Sequence, residues 1–130
     1  MHPDFQGFAS NNFNLVTPVL DTLVNLQNNL NRKLPAQLIH GVGSNIHYTV
    51  PEQIKELAQH YPELVFIVPQ IGWKMLLADS MIEVAITKYI YLELMLNVNI
   101  ISSIKAIREL GATQVLGTDA PWGKLLLGKK

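Results

Sequence analysis

The sequence predicts an α/β fold of about four parallel βα units, and two observations carry that expectation. Short apolar segments centred on Leu38, Phe66, Leu92 and Val115 recur at a spacing of roughly 25 residues with one helical pattern between each pair, the order expected of repeated βα units. The chemically notable polar residues, His40, Gln70 and Asp119, each stand just after one of those segments, where parallel sheets and barrels bind ligands.

The elements follow in chain order. Thr17 to Leu30 carries Val19, Leu20, Leu23, Val24, Leu26 and Leu30 at roughly the spacing of one helical face, with Asp21, Asn25, Asn28 and Asn29 opposite. Lys33-Leu34-Pro35 ends that helix, and Ala36 to Ile39 reads as a short buried strand ending at His40. A glycine-containing loop, Gly41 to His47, comes next. Thr49-Val50-Pro51-Glu52 has the spacing of a capping box, in which the threonine oxygen and the glutamate satisfy unpaired amides, and a helix through Ile54, Leu57 and Ala58 follows. Pro62 stops it. Leu64 to Val68 is a continuous apolar run rich in β-branched side chains, expected to be buried on both faces of a parallel sheet.

After a loop at Pro69 to Trp73, the residues from Met75 to Tyr89 show a wide apolar stripe, Ala78, Met81, Ile82 and Ala85, on a nearly all-apolar helix. Tyr89 to Leu94 is the next strand. Glu93 within it is costly to bury unless paired. Ile100, Ile104, Ile107 and Leu110 mark a further helix face, Gly111 supplies a left-handed stop, and Thr113 to Leu116 is the last strand.

Composition excludes several classes. The chain has 130 residues, 48% of them apolar and 15% charged, which supports one domain over residues 1–130 with a well-supplied core. Ten acidic and ten basic side chains cancel, and no basic face is evident, so nucleic acid is not an expected partner. The absence of cysteine removes disulfides and thiolate metal sites and fits a reducing compartment. Met1 to Phe5 lacks the regions of a signal peptide, and Glu93 interrupts the longest apolar stretch short of a membrane span. A cytoplasmic protein without membrane contact is expected.

The segment Gly117-Thr118-Asp119-Ala120-Pro121-Trp122-Gly123 is the most informative. It sets a carboxylate after the apolar run Gln114-Val115-Leu116 in a glycine-bracketed turn. A carboxylate there requires a metal, a proton-transfer role or a helix to cap. His40, after Leu38-Ile39 and before Gly41, is its counterpart; read alone, it fits a strand-end histidine bonded to backbone as well as a ligand. His47 and His60 read as solvated. Trp73 and Trp122 are suited to walling a pocket or packing against loops.

Taken in order, His2-Pro3-Asp4-Phe5-Gln6-Gly7, Leu38-Ile39-His40-Gly41, Tyr61 to Val68, Ile90-Tyr91-Leu92-Glu93-Leu94, Leu110-Gly111-Ala112 and Gly117 to Gly123 resemble the second half of the amidohydrolase-related family of metal-dependent TIM-barrel hydrolases and decarboxylases. The resemblance implies a partial, half TIM barrel in which His40 is the strand-five metal ligand and Asp119 the strand-eight ligand. It also implies a divalent metal, zinc first, whose bound water Asp119 would deprotonate as the catalytic base. Glu93 would lie inside the barrel, and His2 would be a remnant of a strand-four polar position.

Two departures from the family pattern follow. Gln70-Ile71-Gly72 stands where a histidine is usual after strand six, and the His-x-His pair of strand one is missing. Two ligands fall short of the three that a catalytic zinc site takes. The resemblance therefore implies a truncated or degenerate member, the metal retained weakly or lost, with a small-molecule substrate if active. A non-catalytic βα scaffold acting in protein association is the alternative. Half a barrel leaves strand edges and an apolar face open, which implies a homo-oligomer or a complementary half-barrel chain.

Overall fold

The computed structural model describes residues 1–38, 48–69, 75–87, 90–94, 100–111 and 113–116. In chain order these form α1 (Pro3–Gln6), α2 (Phe13–Leu30), β1 (Pro35–Gln37), α3 (Pro51–His60), β2 (Val65–Val68), α4 (Met75–Thr87), β3 (Ile90–Glu93), α5 (Ile100–Leu110) and β4 (Val115–Leu116). The fold is α/β. The four strands make one sheet in the order β1-β2-β3-β4, and every neighbouring pair is parallel, with Ala36 beside Phe66, Phe66 beside Ile90 and Leu92 beside Val115.

A parallel sheet whose order never reverses takes each crossover in the same direction, and right-handed crossovers then put the helices on one face. Burial agrees. Ala36, Leu38, Phe66, Val68, Ile90 and Leu92 point to one side and are all buried, in one cluster with Val16 and Leu20 of α2, Ile54 and Leu57 of α3, Met81, Ile82 and Ala85 of α4, and Ala106 and Leu110 of α5. On the opposite side Val65, Ile67, Tyr91 and Glu93 are half-buried, and Pro35 and Gln37 are exposed. The expectation that Leu64 to Val68 is buried on both faces is therefore corrected, because the helical layer covers a single face of the sheet.

Helix α2 begins four residues before the expected Thr17. Pro18 lies inside it rather than at its start, and the Thr22 hydroxyl donates to the Pro18 carbonyl at 2.7 Å. Its buried residues are Val16, Leu20 and Gln27, whereas Leu15, Val19, Leu26 and Leu30 are exposed. The expected face was thus partly wrong: α2 is apolar over two adjacent sectors, and only one meets the core. It ends at Asn31 in the left-handed region, with φ 46°, whose amide donates back to Asn28 and Gln27 carbonyls.

The capping box before α3 is displaced by one residue. Val50 is the N-cap with Pro51 in the first turn, and the Val50 amide donates to Gln53 Oε1 at 3.3 Å. Valine has no side-chain acceptor, so the returning half of the box forms alone, from Gln53 rather than Glu52. Thr49 is fully buried just outside.

Strands are shorter than expected at both ends of the sheet. β1 ends at Gln37, although Leu38 still donates to the Ile67 carbonyl at 2.9 Å; Ile39 lies outside the described residues. Because Leu38 turns its amide towards β2, Gln37 turns its own groups outward, and the Met1 amine donates to the Gln37 carbonyl at 2.7 Å on that free margin. The margin opens with Pro35, which has no N–H. Before β4, Leu92 donates to the Gln114 carbonyl at 3.0 Å, extending the ladder one residue.

In α5 the buried positions are Ser102, Ala106 and Leu110, while Ile104 and Ile107 are exposed. Leu110 packs inward as expected, but Ile104 and Ile107 of the expected face point outward, and small side chains let α5 approach α4. Gly111 closes the helix with φ 75°, its amide bonding to the Ile107 carbonyl at 3.0 Å. A Cβ there would meet nothing within 4 Å, so Gly111→Ala is expected to cost about 1 kcal/mol through backbone strain alone, read as a lowered urea midpoint with an unchanged slope.

Candidate functional site

Four parallel strands in unbroken order place all their C-terminal ends along one edge of the sheet. This orientation is the one that a shared site at those ends requires. β1 stops at Gln37, three residues before His40, and β4 stops at Leu116, three residues before Asp119. β1 and β4 are the outermost strands, three interstrand spacings or roughly 14 Å apart in a flat sheet. Two side chains at such tips reach a common cation only if the sheet curves towards its open face. His40 and Asp119 themselves lie outside the described residues, as do Gln70, Trp73, Trp122 and His47.

Glu93, which the resemblance places inside the barrel, is described. It is half-buried at the C-terminal end of β3, on the face that the helices leave open, in register with Leu116. Tyr91 shares that face one pair of residues earlier, aligned with Ile67 and through it with Gln37. Gln37 and Tyr91 add polar groups to the open face that the sequence reading did not single out, although the alternation in Ile90-Tyr91-Leu92-Glu93 carries the signal, since residues two apart in a strand share a side.

The N-terminal segment reaches the same edge. His2 precedes α1 as its N-cap, its amide donating to Gln6 Oε1 at 2.9 Å, and its ring lies edge-on to Phe5 at 4.3 Å. It is thus part of a short helical turn beside the end of β1 rather than of a strand. His60 is exposed at the end of α3, as expected, and its ring lies 4.7 Å from that of Phe13 and 5.1 Å from that of Tyr61. That position is on the helical side, away from the strand tips. Tyr61 Oη donates to Asp21 Oδ1 at 3.0 Å; burial, and the neighbouring Asp21 carboxylate after it, push the phenol up from its ordinary value. This contact fastens α2 to the end of α3.

Among the described residues no group of three or more His, Cys, Asp or Glu side chains could hold a metal ion. The described grooves lie elsewhere: one of about 250 Å³ at the end of α2, lined by Gln27, Asn31 and Arg32, one beside Pro62 to Val65 at the opposite edge of the sheet, and one between α3 and α4 against Glu52, Lys55 and Glu83. No helix among the described residues is long and apolar enough to cross a membrane. Comparison with protein-family models, with curated proteins and with solved structures finds no match.

Proposed function

We propose that the chain is a partial member of the amidohydrolase-related family, built as half of a TIM barrel, whose chemistry is metal-assisted hydrolysis or decarboxylation of a small carboxylated or ring substrate. The observation that carries this reading is the singly wound parallel sheet with α2 to α5 on its buried face. In a barrel the same side is the outer layer, and the open face with Glu93 and Tyr91 is the interior. The strand ends preceding His40 and Asp119 lie on one edge, where that family holds its metal.

The donor set falls short of a complete centre. His40 and Asp119 are two ligands, a catalytic zinc takes three protein ligands and an open position, and the amide of Gln70 is a poor substitute for imidazole. Activity of the chain alone is therefore expected to be weak or absent until a third ligand is supplied from outside the pair. The same shortage favours a second reading, a non-catalytic βα scaffold used in protein association.

Equilibrium dialysis against zinc, manganese and cobalt, with bound metal counted per chain, separates the two. The metal reading expects one ion per chain, with affinity falling at least about 10-fold in both His40→Ala and Asp119→Ala. Binding that is absent, or equal in both variants and the parent, favours the scaffold.

A further inference from the structure

The exposed apolar stripe of α2 has an order of its own. Leu15, Val19, Leu26 and Leu30 are 47–60% exposed. At 100° per residue they fall within a sector of about 60° and run for roughly 22 Å along the helix. The core holds the adjacent sector through Val16, Leu20 and Gln27, so the stripe is not a loosely packed part of the core face. Its spacing is four, seven and four residues, which reads the same from either end. The midpoint falls between Thr22 and Leu23.

We infer that this stripe is a homodimer interface, in which α2 of one copy packs antiparallel against α2 of a second copy about a two-fold axis at Thr22 and Leu23. In that pairing Leu15 meets Leu30 and Val19 meets Leu26, twice each, as an isologous interface requires. Charge favours a second copy as spacing does. Asp21 is the single charged residue in the 18 residues of α2, and it is bonded to Tyr61 away from the stripe. No like charges therefore face each other across the axis. Antiparallel packing also sets the positive end of each helix dipole beside the negative end of the other. One helix per copy covers less than the ~800 Å² that each partner gives a standard interface, so the dimer depends on concentration. None of these residues belongs to the metal reading, and the inference stands without it.

Sedimentation velocity on the purified 130-residue chain from about 10 to 500 µM tests the interface, the range suiting a small contact. The parent is expected to shift from monomer to dimer. Leu26→Glu is expected to raise the dissociation constant at least about 10-fold, and because the site is exposed its circular dichroism and melting should match the parent. The double variant Val19→Lys/Leu26→Glu should recover dimer, since each lysine then faces a glutamate of the other copy; within one helix the two are seven residues apart and do not meet. Ile104→Glu on α5 should leave the dimer unchanged. A parent that stays monomeric throughout the range overturns the inference. So does a folded Leu26→Glu whose dissociation constant matches the parent's, or a double variant no stronger than Leu26→Glu, as parallel pairing would give. Loss of the dimer in Ile104→Glu would assign association to α5 instead, as barrel closure by two copies would require.

Discussion

Replacing Phe66 by alanine is expected to remove about 3–5 kcal/mol of stability, a large part of the 5–15 kcal/mol that holds a small domain together. Phe66 is fully buried in β2, flanked by Ala36 in β1 and Ile90 in β3. Its ring lies in the middle of the row that the helices cover. Neither neighbour can close the gap, because Ala36 is small and Ile90 is fixed by its own strand, so most of the cavity persists. Urea unfolding followed by circular dichroism reads the effect. Ile67→Ala, one residue on and half-buried on the open face, is the comparison and should cost much less. Equal costs would mean that the open face is covered as well as the helical one, and the single-layer description would fall.

Leu20→Ala is expected to cost about 2–5 kcal/mol, but to spend it differently. Leu20 and Val16 are the buried apolar residues of α2, with Phe13, Leu23 and Val24 packed less completely against the same cluster. Polar attachments add to these: Tyr61 to Asp21 at 3.0 Å, Gln27 to the Glu63 carbonyl at 3.4 Å and, just before the helix, Asn11 to Glu56 at 2.7 Å. Each hydrogen bond adds only about 0.5–1.5 kcal/mol net, less than the Leu20 side chain, so removing that side chain should let α2 open before the sheet does. Hydrogen exchange followed by mass spectrometry should show early loss of protection over residues 13–30, with β2 and β3 retained. Simultaneous loss of both would mean that α2 and the sheet form one cooperative unit.

Strand existence and order of elements were legible because a parallel βα repeat writes them in apolar runs separated by helical periods. Val65 to Val68, Ile90 to Glu93 and the start of α5 fall within a residue or so of expectation, and Gly111 takes the positive φ that its place after Leu110 foretold. Helix faces were less legible. In α2 and α5 several large aliphatic side chains, Leu15, Val19, Leu26, Ile104 and Ile107, point away from the core, and small or polar ones, Ser102, Ala106 and Gln27, point in beside Val16, Leu20 and Leu110. Periodicity ranks a face by hydrophobicity, but burial follows how closely two backbones approach, which favours serine and alanine where α5 meets α4. The Thr49 cap failed for a local reason: Pro51 fits the first helical turn, which makes Val50 the boundary. The candidate ligands, His40 and Asp119, were legible only through family-like motifs. Their strands run as that reading needs, while the two side chains lie outside the described residues.

The outer margin of β1 is a poor template for another strand. Pro35 offers no amide there, and the Gln37 carbonyl is already taken by the Met1 amine, so a foreign strand laid alongside would find few partners for its backbone. Growth by templated cross-β stacking is thereby discouraged on this flank of the sheet.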